Sequence, residues 1–145
     1  MKKKFIDYFM GIANLTSKLS YAKRLQVGAV IVKGNQIIGT GYNGMPTGWD
    51  NCCEDKVWTQ DGDYGLKTKP EVLHAETNAI AKVAQSTESS QGSTLFCTHA
   101  PCIECAKLIY QSGISTLYYK EQYRDDSGVK FLKLSGVDVN EYKTI

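Results

Sequence analysis

Residues 93–119 read STLFCTHAPCIECAKLIYQSGISTLYY, two β-rich runs with a helical run between them. STLFCT at 93–98 has the composition of a strand, and STLYY at 115–119 repeats it. Pro101 suits a first helical position, where its missing N–H costs nothing, so it opens the helix CIECAKLIYQSG, which Gly113 caps. Working outward, VLHAETNAIAKVAQ at 72–85 is alanine-rich with helical spacing. VGAVIV at 27–32 and QIIGTGYNG beyond it flank a turn at Gly34 and Asn35, the pattern of an antiparallel hairpin. Phe5, Ile6, Phe9, Ile12, Ala13, Leu15 and Leu19 recur at spacings of three and four, which predicts an amphipathic helix ending near Ser20. Residues 127–135 read as a short helix and GVDVNEY as a last short strand. A helix, two strands, then alternating helices and strands imply an α/β sheet covered by helices on both faces. The stretch 44–70, with Pro46, Gly48, Gly62 and Gly65, is too long and polar for a plain connection and reads as a functional loop, and Trp49 and Trp58 favour that over a disordered insert.

The chain has 145 residues, the size of one domain over 1–145. With 42% hydrophobic and 22% charged residues it has a globular balance. A formal net charge of +2 argues against a nucleic-acid partner and leaves a small anionic substrate compatible. The basic start MKKKFIDYFMGIANL is interrupted by Asp7 and Asn14, so it reads as a helix of a cytoplasmic protein with no membrane association rather than as a signal core. Lys2, Lys3 and Lys4 are then its solvated beginning. Cys52, Cys53, Cys97, Cys102 and Cys105 make an odd count, which points to metal or free thiols rather than to a disulfide framework.

Cys102 and Cys105 lie three apart on the helix opened by Pro101, so both sulfurs face one side of its first turn. The positive end of that helix favours the thiolates that zinc requires. Cys97 and His99 precede the proline on an extended segment and are poorer ligands, although a closed shell of Cys97, His99, Cys102 and Cys105 is the alternative. The better third ligand is His74, which heads another helix and is followed two residues on by Glu76. Three protein ligands leave zinc one position for a water whose pKa falls toward neutrality, and the carboxylate of Glu76 can shuttle that water's proton. A His-x-Glu alone is weak. Joined to Pro-Cys-x-x-Cys it is the signature of zinc-dependent nucleobase deaminases.

VGAVIV, GTGYNGMPTG, HAETNAI, PCIECAKLIYQSGI and STLYY, in this order and over nearly the whole length, resemble the phage-type deoxycytidylate (dCMP) deaminases of the cytidine deaminase-like superfamily. The resemblance implies a three-layer α/β/α fold with a five-stranded mixed sheet, one catalytic zinc, and hydrolysis of dCMP to dUMP and ammonia. It also implies a homo-oligomer, a hexamer favoured, activated by dCTP and inhibited by dTTP, with Mg2+ accompanying the triphosphate. Nucleoside cytidine deaminases carry cysteine at the place of His74, and tRNA adenosine deaminases carry glutamate at the place of Ala100. In similar enzymes backbone groups at the positions of Ala75 and Thr98 hold the pyrimidine ring. Asn43 matches the asparagine that binds the sugar 3'-hydroxyl, with a plain turn role as the alternative. Arg24 is positioned for the 5'-phosphate, or is a surface arginine. Tyr123 is a stacking residue or a rim aromatic, and Asn78 faces the pocket or satisfies helix backbone. Gly41, Tyr42, Asn43, Gly44 and Gly48 would form the effector site. The chain departs from the pattern where some members hold a second zinc. Ala22 stands at a cysteine ligand's place and no histidine lies between Cys53 and His74, so that ion is not expected and Cys52 and Cys53 read as thiols. Two rivals remain: a dCTP or bifunctional dCMP/dCTP deaminase, and a non-catalytic nucleotide-sensing module whose zinc only holds the fold. Glu76 argues against the second.

Overall fold

The computed structural model describes residues 1–144. Strands β1 (Gly28–Lys33) and β2 (Gln36–Tyr42) form the expected antiparallel hairpin. Gly34 and Asn35 turn it with φ of 56° and 61°, the consecutive left-handed pair that matches strand twist. A second hairpin, β3 (Glu54–Trp58) with β4 (Tyr64–Thr68), occupies the stretch read from sequence as a loop. Its side chains are mostly exposed, Trp58 at 64%, so it lacks the apolar alternation that marks a half-buried strand. Strands β5 (Thr94–His99), β6 (Thr116–Glu121) and β7 (Asp138–Glu141) complete a five-stranded mixed sheet in the order β2-β1-β5-β6-β7. β1 runs antiparallel to β2 and β5, whereas β5, β6 and β7 are parallel.

Helices cover both faces. Helix α1 (Lys3–Ser17) packs Phe9, Met10 and Ala13 on Val30, Val32 and Phe96. On the other face α2 (Ala75–Ala84), α3 (Ile103–Gln111) and α4 (Ser127–Leu134) pack Ala79, Ile109 and Leu132 in one cluster with Ala29, Ile31, Leu95 and Leu117. Successive side chains of β1 and β5 thus enter opposite cores, which is why VGAVIV is apolar throughout instead of alternating. The periodic reading of α1 was too generous at its end: Leu15 and Leu19 are 70% and 61% exposed, while Thr16 and Ser17 face inward.

Two helix starts differ from the sequence reading, and both matter for the site. α2 begins at Ala75 because Leu73 is held in an isolated bridge with Gly44, its N–H donating to the Gly44 carbonyl at 2.8 Å. α3 begins at Ile103 rather than Pro101, since the Ala100 N–H donates to the Glu121 carbonyl at 2.8 Å and the chain stays extended alongside β6. His74 and Cys102 are therefore the residues capping the two helices.

Candidate active site

The carboxyl ends of β5 and β6 and the N-termini of α2 and α3 meet on one side of the sheet, the place where open α/β sheets bind ligands. His74 presents Nδ1 at 3.2 Å from Cys105 Sγ and 3.6 Å from Cys102 Sγ. All three ligand atoms lie within 4.8 Å of one another. Tetrahedral zinc with ordinary Zn–N and Zn–S bonds holds its ligands about 3.5–3.8 Å apart, so these three fit the ion with little movement and leave its fourth position to water. Hydrogen bonds from Cys105 and His74 pull Cys102 down to about 4, while Cys105 is pushed up by its bond with Cys102 and by burial. His74 is raised, chiefly by the Cys102 thiolate beside it.

Glu76, on the first turn of α2, is 4% exposed and lines the same cleft as His74 and Cys102. Cys97 and His99, the weaker ligands of the sequence reading, do not join the tripod. Cys97 Sγ points at Glu76, and the His99 ring pairs with the Thr98 hydroxyl. The cleft holds about 660 Å³, ample for a nucleotide. Its walls include Arg24, Asn43, Ala75 and Tyr123.

The matching family is described as the cytidine and deoxycytidylate deaminase zinc-binding region, and its match spans residues 3–121. The chain belongs to this deaminase family. Deoxycytidylate deaminase of Saccharomyces cerevisiae is 35% identical over 144 residues, covering 98% of this chain and 46% of the yeast protein. The human deoxycytidylate deaminase is 41% identical over 124 residues, covering 82% of this chain and 66% of its own. The chain thus spans about half to two-thirds of these curated relatives. Among solved structures, dCMP deaminase from the cyanophage S-TIM5, in complex with dCMP and dUMP, superposes with a TM-score of 0.88 at 44% identity, covering 98% of this chain and 99% of that one.

Several residues of the chain do more, or other, than their sequence suggested. Asn43 uses its side chain as a strut, donating to the Leu25 carbonyl at 2.7 Å and accepting from the Val27 N–H at 2.8 Å. One N–H and one lone pair are left for a ligand. Asn78 donates to the Tyr42 carbonyl at 3.1 Å, tying α2 to β2, and it does not line the cleft. Thr98 is buried behind the wall, its hydroxyl accepting from the Gly28 N–H at 3.1 Å. Arg24 donates to the Thr68 hydroxyl at 3.2 Å. Sequence reasoning missed Glu54, Arg124 and Asp125, all in the cleft wall. Glu54 is buried and accepts the Lys23 and Arg24 N–H groups at 2.8 and 3.2 Å, which fastens the segment carrying Arg24. Nothing marks it in sequence, because it belongs to the hairpin that was read as loop. Arg124 and Asp125 were signalled only by adjacency to Tyr123. Of the two thiols without a site, Cys52 is exposed and Cys53 buried.

Proposed function

We propose that the chain hydrolyses dCMP to dUMP and ammonia at the cleft formed by His74, Glu76, Cys102 and Cys105. The observation that carries this reading is a buried carboxylate beside a His-Cys-Cys tripod, inside a nucleotide-sized cleft with an arginine and an asparagine in its wall. Zinc held by His74, Cys102 and Cys105 would supply a Lewis acid that makes water nucleophilic near neutral pH. Glu76 takes the proton of the water that adds to C4 and delivers it to N3 of the pyrimidine. Glu76 then takes the second proton, from the hydroxyl now on C4, and passes it to the amine; the C4–N bond breaks as the C4 carbonyl forms, so one water is consumed and one ammonia released. The unpaired N–H of Ala75 at the start of α2 suits the ring O2. Asn43 suits the sugar hydroxyl, and Arg24 at the cleft mouth the 5'-phosphate, with Tyr123 against the nucleotide.

The same reading extends to control and assembly. dCTP would activate and dTTP inhibit at the turn after β2, with Mg2+ on the triphosphate. Gly48 has open space where a side chain would stand, which supports a ligand's approach there, while Tyr42 carries the Lys82 ammonium over its ring at 5.6 Å. Exposed apolar side chains such as Leu15, Leu19 and Leu134 suit a homo-oligomeric, hexameric assembly. Unpaired cysteines fit a cytoplasmic enzyme. Among the described residues no helix is long and apolar enough to cross a membrane. Ammonia release from dCMP, dCTP, deoxycytidine and a cytosine-bearing oligonucleotide tests the proposal. Turnover confined to dCMP is expected. Preference for dCTP would favour the triphosphate deaminase, and no turnover of any of them the sensing module.

A further inference from the structure

We infer that Cys97 is a positioning residue for Glu76, its thiol donating a hydrogen bond that fixes the orientation of the carboxylate. The inference rests on the reading of Glu76 as the proton carrier. Cys97 lies in the middle of β5 on the face that meets α2, α3 and α4, fully buried, with Ala29 and Tyr119 as its partners on the neighbouring strands. Such a position needs only an aliphatic side chain for packing. Instead its Sγ sits 2.9 Å from Glu76 Oε1, within reach of a hydrogen bond from the thiol to the carboxylate. Burial, reinforced by the neighbouring Glu76 charge, pushes the Cys97 thiol well above the usual cysteine range, so it stays protonated and able to donate.

The need for such a donor follows from where Glu76 stands. A carboxylate almost completely removed from water must be hydrogen-bonded, and a glutamate with three free torsions loses reactivity whenever it swings out of line. α2 contributes the backbone position of Glu76, and β5, from across the core, contributes the group that selects its orientation. Because the sheet face is rigid, the acceptor is held without an ordering step during turnover.

Cys97→Val keeps similar bulk and removes the donor, whereas Cys97→Ser restores one. In the zinc-loaded Val variant kcat should fall about 10-fold, with KM, dUMP affinity and zinc content near wild type, because a misaligned proton carrier affects the reaction and not ground-state binding. The Ser variant should recover most of the loss. The S–H stretch assigned to Cys97 by its disappearance in the Val variant should move to higher frequency in Glu76→Gln, where a neutral amide accepts more weakly. Should the Val variant fold poorly, that band still reports the contact directly. A Val variant with wild-type kcat, or an S–H band unmoved by Glu76→Gln, overturns the inference. High turnover by Glu76→Gln would instead overturn the proton role of Glu76, whatever the band does, so the two failures are distinguishable.

Discussion

Replacing Gly41 with alanine should both destabilise the fold and disarm the site. Gly41 lies in β2 opposite Ala29, directly beneath α2. A Cβ there would stand 2.5 Å from the Ala79 amide nitrogen and closer still to the Ala75 carbonyl oxygen, whereas ordinary contact begins at 3.4 Å. Both neighbours are backbone and cannot turn aside, so α2 must retreat by roughly 1 Å, an overpacking that costs about 1–3 kcal/mol. Ala75 sits between His74 and Glu76, so the retreat reaches a metal ligand and the proton carrier together. Misplacement on that scale lowers turnover by about 100-fold. Urea unfolding and kcat of the zinc-loaded variant measure the two effects. Gly44→Ala is the internal control, because its Cβ would meet only the Tyr42 ring at 3.9 Å, and its stability should stay within about 0.5 kcal/mol of wild type. If Gly41→Ala is as stable and active as wild type, α2 is not clamped on β2, and the glycine serves something other than close packing.

Glu76→Gln should keep its fold and one zinc per chain while turnover falls by about 1000-fold, because the amide cannot relay a proton; metal analysis beside steady-state kinetics checks both halves. Removing zinc with a chelator should lower the thermal midpoint, since the tripod exists only in the folded chain, and adding zinc back should raise it with metal concentration. His99→Gln should leave zinc content unchanged, because the ring lies outside the tripod. The same variant should flatten the acid side of the stability profile. Burial holds the His99 imidazole below its ordinary value, so the unfolded chain takes up the proton first, and wild-type stability declines as pH falls below about 6.5. Urea midpoints across that range, compared between the two proteins, give the His99 share as their difference.

The parts of the fold legible in the sequence are those in which one physical signal dominates. VGAVIV is apolar because both of its faces are buried, and Gly34-Asn35 supplies two left-handed residues in a row, so the first hairpin and the covered sheet could be read directly. The tripod was legible because its ligands sit at the starts of two helices, with spacing and helix polarity aiming them the same way. The β3-β4 hairpin was not, because its side chains face solvent and its pairing is made by backbone groups that composition does not record. The helix starts were misplaced for a related reason. Long-range backbone bonds, Leu73 to Gly44 and Ala100 to Glu121, hold residues extended that local propensity would wind into the helix. Gly41 shows a third limit: a glycine beside a polar turn suggests an anion site in sequence, yet its nearest neighbours are the backbone of α2.

Hydrolysis at C4 of dCMP is the reaction the site is proposed to carry out. Protein carrying one zinc per chain, incubated with dCMP in water enriched in the heavy oxygen isotope, should yield dUMP with a single heavy oxygen at position 4 of the ring and one ammonia per dUMP, read by mass spectrometry and an ammonia assay. Unchanged dCMP from fully zinc-loaded protein, or dUMP lacking the solvent oxygen, would contradict it.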